Sequence, residues 1–166
     1  MGGWAGRYLE DFEAGEEISH GWARTVTEHD NHLFTLMTCN SNMTHTNDEF
    51  AAHTSFGKPL VNSTFTLALI SGLSVRDISE NAMANLGWES VQILAPVFVG
   101  DTLYAATRVL DKRESKSRPD VGIIRVETVG YKGTGQRVMQ FVRAVMVYKR
   151  GHGPRVHWPA PAPAEQ

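Results

Sequence analysis

The chain has a single cysteine, Cys39, among its 166 residues. No disulfide can therefore form within it, and a reducing compartment is expected. It also has little excess charge: 16 basic side chains against 18 acidic ones leave a formal net charge of -2. That balance argues against a nucleic-acid footprint or a polybasic membrane patch, while leaving room for a local anion site. No apolar run approaches the roughly 18 residues of a membrane span. The opening MGGWAGRYLEDFEAGEEI lacks the basic start and apolar stretch of a signal peptide. Missing too are GxxxxGK[ST], GxGxxG between a strand and a helix, and GxSxG, so nucleotide-cofactor, kinase and serine-hydrolase readings have no foothold. Metal-ligand spacing is absent, with no HxxxH and no cysteine pair. His29 and His32 lie three apart on what reads as a solvated helix face. The expectation is a cytoplasmic domain with no metal, no separate cofactor, and neither nucleic acid nor membrane as partner.

What is present reads as one domain over residues 1–150, followed by a Pro/Ala-rich tail at 151–166 that is disordered or draped on a partner. Before residue 26 only weak strand or loop signals occur. Thr27 and Asp30 in TEHD approximate a capping box, and a helix from about Glu28 to Thr38 follows, with Leu33, Leu36 and Met37 on its apolar face. The short polar residues of CNSNMTHTND end it. From Thr64 to Ile78 the chain is apolar in almost every helical direction, so that helix should be enclosed by other elements. Two strand-rich stretches come next, each broken by a turn: Gly100-Asp101 in the first, and Lys132 to Gly135 in the second. Apolar residues occupy both faces between Val138 and Val147, which suits a central strand. One buried helix followed by long antiparallel strands predicts an α+β fold, with the sheet wrapped around the helix in a hot-dog arrangement.

Two groups of residues could carry chemistry. The first is Asn40, Asn42, His45, Asn47 and Asp48. Taken singly, its Asn and Asp residues are ordinary turn formers. His45, beside a predicted core, is either a general base near neutral pH or a hydrogen-bonded structural histidine. The second is Asn62, Ser63 and Thr64 at the start of the apolar helix. The first amides of a helix lack internal partners and carry the positive end of its dipole, so the amide of Ser63 could polarise a thioester carbonyl. The plainer role for Asn62 or Ser63 is the N-cap, and the two roles are compatible.

The stretches TEHDNHLFTLMTCNSNMTHTNDEFA and FGKPLVNSTFTLALISGL resemble the MaoC-like hydratases, which include the (R)-specific enoyl-CoA hydratases. Their motif is D-x-N-P-x-H-x-D, followed by P-[IL]-V-H-G at the entrance to the central helix. Asn42 and His45 match the motif, as do Pro59, Leu60 and Val61. PVFVGDTLYAATRVL resembles the family's strand entry, and the resemblance covers most of residues 7–149. VNSTFTLAL, ANLGW and RESKSRPDVGI look closer to a branch with mesaconyl-CoA and itaconyl-CoA hydratases. The departures are Asn40 for the catalytic aspartate, Met43 for Pro, Asn47 for the later Asp, and Asn62-Ser63 for His-Gly.

The resemblance implies a hydro-lyase acting on a 2-enoyl-CoA, branched or dicarboxylic, with coenzyme A as part of the substrate. His45 is then the base, Asn40 the group that holds the water, the Ser63 amide the oxyanion donor, and Ser71 stands at the family's active-site serine. Asn42, Asn62, Thr64 and Arg118 are expected to bind substrate. Arg118 would do so within the basic loop of Lys112, Arg113 and Lys116, which otherwise reads as a solvated turn. A homodimer or dimer of dimers is expected, with the acyl tunnel between His45 of one subunit and the helix entrance of the other. The alternatives are a hot-dog thioesterase, which would want a carboxylate near KPLVNSTFT, and a non-catalytic acyl-CoA binding protein.

Overall fold

A computed structural model describes residues 6–154. In chain order it contains β1 (Glu17–Ser19), β2 (Arg24–Thr25), α1 (Glu28–Met37), a 3-10 turn (Met43–His45), α2 (Asp48–Ala52) and α3 (Ser63–Leu73). A π-helical turn (Val75–Ser79) leads into β3 (Ala82–Ile93), β4 (Thr102–Glu114), β5 (Val121–Lys132) and β6 (Arg137–Tyr148). The strands form one antiparallel sheet in the order β1-β4-β5-β6-β3, with β2 also pairing β4. α3 lies across its inner face as the hot-dog arrangement predicts. No helix among the described residues is long and apolar enough to cross a membrane. Of the tail expected at 151–166 to be disordered or draped on a partner, residues 155–166 lie outside the described residues.

The local signals at α1 operate as read. Thr27 Oγ1 accepts from the amide of Asp30, and the Asp30 carboxylate accepts from the amide of Thr27, completing the capping box. Which face α1 buries differs from expectation. Leu36 and Met37 are each 70% exposed, whereas Asn31 and Thr35 are buried. Only Phe34 turns inward, edge-on to Phe65 at 5.5 Å. The polar face wins the interior because Asn31 and Thr35 satisfy backbone and side-chain groups there, as described below. Cys39, at φ 55°, takes the left-handed conformation past the helix end.

α3 packs its Phe65, Ile70 and Leu73 onto the sheet, with Val61, Leu103, Ala105 and Phe141 around them. Gly130 permits the close approach, since a Cβ there would overlap Ile70. A second apolar cluster gathers Leu9, Phe12, Ile78, Val109, Ile124 and Val145. The enclosure of α3 is one-sided within the chain: Thr64, Ala68 and Gly72 remain exposed.

Two strand expectations fare differently. Lys132 to Gly135 turns β5 directly into β6, with the Lys132 amide bonded to Gln136 O at 2.9 Å. Gly100-Asp101 is not a hairpin turn, because β3 and β4 do not pair; β5 and β6 stand between them. The connection crosses the fold instead, anchored where Val61 N bonds Val97 O at 2.9 Å. β6 is central, between β5 and β3, and most of its residues are buried. β3 is an edge, and Leu86, Trp88, Val91 and Ile93 along it are exposed.

Candidate active site at the entrance to the central helix

Asn31 organises the site and went unrecognised in the sequence. It is 1% exposed. Its Nδ2 donates to His45 O at 2.8 Å and to Leu60 O at 3.3 Å, while its Oδ1 accepts from the amide of Asn62 at 2.9 Å. One amide side chain thus ties the His45 turn, the segment before α3 and the start of α3 together. The signal available was an Asn at mid-helix, where its side chain has no capping work. Thr35, one turn on, accepts from Asn62 Nδ2 at 3.3 Å.

His45 closes the 3-10 turn and is partly buried. Its Nδ1 lies 2.8 Å from Leu60 O. A carbonyl oxygen can only accept, so Nδ1 carries the proton, and the neutral ring keeps its lone pair on Nε2. That tautomer is the one a general base requires. The same bond ties His45 to the entrance of its own α3, so one chain brings this pair together. The expected division of His45 and the helix entrance between two subunits is corrected accordingly.

At that entrance the amides divide unequally. Asn62 N is taken by Asn31, and Thr64 N by Asn62 Oδ1 at 3.0 Å. Among the described residues the amide of Ser63 has no acceptor, leaving it the free donor at the positive end of the helix. Ser63 and Thr66 border a cleft of about 40 Å³ whose other walls include Ile93, Pro96, Val97 and Met139.

The remaining predicted residues separate into groups. Asn40 Oδ1 accepts from Asn42 N at 3.0 Å, and Asn42 Oδ1 accepts from Thr44 N at 3.0 Å, so both shape the turn that presents His45. Asn40 is partly buried and keeps one oxygen lone pair and its amide hydrogens. Asn47 caps α2 through a bond from Phe50 N at 2.8 Å. Asn62 is corrected: at 2% exposure, with its side chain bonded to Thr64 and Thr35, it is a buried cap rather than a substrate contact. Thr64 is exposed beside the site, and its hydroxyl donates to Asn62 Oδ1 at 2.6 Å.

Arg118 is corrected more strongly. It lies in the β4–β5 turn and binds Asp120 through Nε at 3.3 Å and Nη2 at 3.0 Å. That turn is at the Glu114 end of β4, a strand length of roughly 40 Å from the Thr102 end near the helix entrance. Ser71 is on α3, but eight helical residues place it about 12 Å beyond Ser63. One thioester carbonyl cannot bond to both.

A model of the MaoC like domain matches residues 11–131. The chain belongs to the MaoC-like family. The mesaconyl-CoA hydratase of Cereibacter sphaeroides is 37% identical over 96% of this chain and 45% of that protein. The β-methylmalyl-CoA dehydratase of Chloroflexus aurantiacus is 33% identical over 87% of this chain and 41% of that one. The chain therefore spans less than half the length of these two relatives. A conserved hypothetical protein of Mycobacterium tuberculosis with a double hot-dog fold superposes with a TM-score of 0.81. That likeness covers 96% of this chain and 53% of the other at 20% identity, and concerns the fold alone.

Proposed function

We propose that this MaoC-like chain is a hydro-lyase that adds water to, or removes it from, the 2,3 double bond of a 2-enoyl-CoA with a methyl-branched or dicarboxylic acyl group. The observation that carries the reading is that the bond from His45 Nδ1 to Leu60 O sets the imidazole beside the segment that enters α3, where among the described residues neither His45 Nε2 nor the Ser63 amide has a partner. The two named relatives, a hydratase and a dehydratase of such thioesters, support the acyl class.

In the hydration direction His45 Nε2 takes a proton from water as the water oxygen bonds to the β-carbon. Asn40 holds that water through its amide oxygen, the place where the family has a carboxylate. The π electrons move onto the thioester oxygen, where the Ser63 amide stabilises the enolate. His45 then returns the proton to the α-carbon, so one water is added across the bond and the base is regenerated. A single base suffices when both protons are handled on one face of the substrate.

The working unit is proposed to be a homodimer, or a dimer of dimers, joined through β3. That strand runs for 12 residues with one side unpaired among the described residues and large apolar side chains exposed. Such an edge calls for a partner, which would also cover the open face of α3. Incubating the protein with a panel of enoyl-CoAs, while measuring hydrated product and free CoA separately, tests the activity. Hydrated product with CoA still attached is the expected result. Free CoA alone would establish a thioesterase, and neither product would leave a binding protein.

A further inference from the structure

The basic loop of Lys112, Arg113, Lys116 and Arg118 stands at the far end of the sheet from the helix entrance. The phosphates of a CoA thioester bound at that entrance therefore need a different cation. Leu103 faces Lys132 across the β4–β5 ladder and packs in one cluster with Val61 and Phe65, which marks this as the end of the sheet where α3 begins. There the half-buried ring of Phe98 carries two ammonium groups: Lys58 Nζ is 4.4 Å from its centroid and Lys132 Nζ 5.7 Å. Phe56 meets the same ring edge-on at 6.4 Å.

The two lysines are not equivalent. Lys132 lies 2.7 Å from Asp101 Oδ2, and that oxygen also accepts from Phe98 N at 2.8 Å. Lys58 is exposed and, among the described residues, has neither an ion pair nor a hydrogen bond. Two cations thus share one carboxylate, and the cluster keeps a positive charge. The ring attracts the Lys58 ammonium and holds it in place, so an arriving anion need not order a free side chain. Glu28 and Asp48 border a groove that Lys58 also lines, and neither pairs with it. Their charge turns an anion toward the Phe98 side, where Lys132 already neutralises Asp101. The position suits a long ligand. Leu60 bridges Phe98, and Leu60 O holds His45 Nδ1, so Lys58 is two residues from the atom that orients the base. The amide of Ser63 points out of the N-terminal end of α3, the end at which these lysines stand. Five residues separate Ser63 from Lys58, so their Cα atoms are at most about 18 Å apart. The pantetheine arm of CoA extends about 15 Å from sulfur to the first phosphorus, at the advance per bond of an extended polypeptide. With the lysine side chain added, a CoA whose carbonyl sits at Ser63 can carry its diphosphate to Lys58.

We propose that Lys58, held on the ring of Phe98, is the subsite for the diphosphate of the CoA thioester. This rests on the reading of the helix entrance given above, from which it takes CoA as the ligand. The segment from Lys58 to Ser63 then meets both ends of the pantetheine arm, with the phosphates at its start and the thioester at the head of α3.

Calorimetric titration of the full chain with butyryl-CoA, which cannot be hydrated, tests the subsite without depending on turnover. Lys58→Met should weaken binding by roughly 3- to 10-fold, between the effect of an exposed ion pair and that of a hydrogen bond to a charged group. Lys58→Arg should stay close to wild type, and the gap between wild type and Lys58→Met should narrow at high salt. Lys58 is exposed, so neither change threatens the fold. Binding by Lys58→Met within twofold of wild type, a gap indifferent to salt, or no binding by wild type overturns the proposal. S-crotonyl-N-acetylcysteamine keeps the thioester and lacks the nucleotide. The ratio of kcat/KM for crotonyl-CoA to that for this short thioester should fall in Lys58→Met by the same factor as the affinity, and an unchanged ratio overturns the subsite. A wild type whose affinity for butyryl-CoA depends on Lys58 but which hydrates neither thioester keeps the subsite and loses the proposed reaction. Hydration of crotonyl-CoA that is unaltered in Lys58→Met keeps the reaction and loses the subsite.

Discussion

Replacing Asn31 with alanine should unfasten the site more than any other single change outside His45. The side chain makes three hydrogen bonds, to His45 O, Leu60 O and Asn62 N. Leu60 O keeps the imidazole of His45 as a donor, so truncation orphans chiefly the carbonyl of His45 and the amide of Asn62. At ~1–3 kcal/mol for each buried group left unsatisfied, Asn31→Ala should cost about 2–6 kcal/mol of stability. For a chain of this size that corresponds to a fall in Tm of roughly 4–24 °C. Urea unfolding at fixed protein concentration measures it directly, and kcat should fall with KM little changed because His45 loses its tether. Asn31→Asp sharpens the test: it keeps an acceptor for Asn62 N but turns a carboxylate oxygen toward two carbonyls. That variant should be least stable at neutral pH and recover as the pH falls and the buried acid regains its proton. A loss below about 1 kcal/mol in Asn31→Ala would refute the reasoning.

Other expectations follow from the same geometry. His45→Ala should reduce kcat by ~10²–10⁴-fold with the circular dichroism spectrum unchanged, as loss of a general base implies; a variant keeping more than about a tenth of the rate excludes His45 as base. Asn40→Ala should lose less than His45→Ala, and Asn40→Asp should remain active, since it restores the family's residue; a folded but inactive Asn40→Asp would defeat the water-holding role. His20 should make stability pH-dependent: burial holds its imidazole below the ordinary 6.5, against the opposing effect of Asp77. The unfolded chain then binds more protons once the pH drops below about 6.5, so the urea midpoint should be steady above that value, decline as the pH falls through the lowered folded-state pKa, and decline less in His20→Asn. Light scattering should report twice the 18.4 kDa chain mass, or four times for a dimer of dimers, and Leu86→Lys on the β3 edge should shift it toward monomer; an active wild-type monomer at micromolar concentration would remove the dimer from the account.

The elements legible in the sequence were those fixed by neighbours. Thr27 and Asp30 settle where α1 starts because their cap spans three residues. The β5–β6 hairpin is set by its own turn, and the apolar content of the segment after Ser63 marks α3 as the helix to bury. The tertiary structure decided whatever depended on partners far along the chain. β3 and β4 follow one another in sequence yet stand apart, because strand order is a property of the whole sheet. The burial of Asn31 and Thr35 in place of Leu36 and Met37 could not be read from periodicity. It depends on the bonds Asn31 makes to His45, Leu60 and Asn62, which lie 14 to 31 residues away. Arg118 matched a plausible basic loop but stands at the far end of the sheet beside Asp120, whereas Arg143, inconspicuous inside a strand, reaches Ser71 across 72 residues. Local patterns select the elements through short-range sterics and capping. The positions where charge and hydrogen bonds converge are selected only when packing brings distant residues together, because a buried polar group is tolerable solely where its partners are.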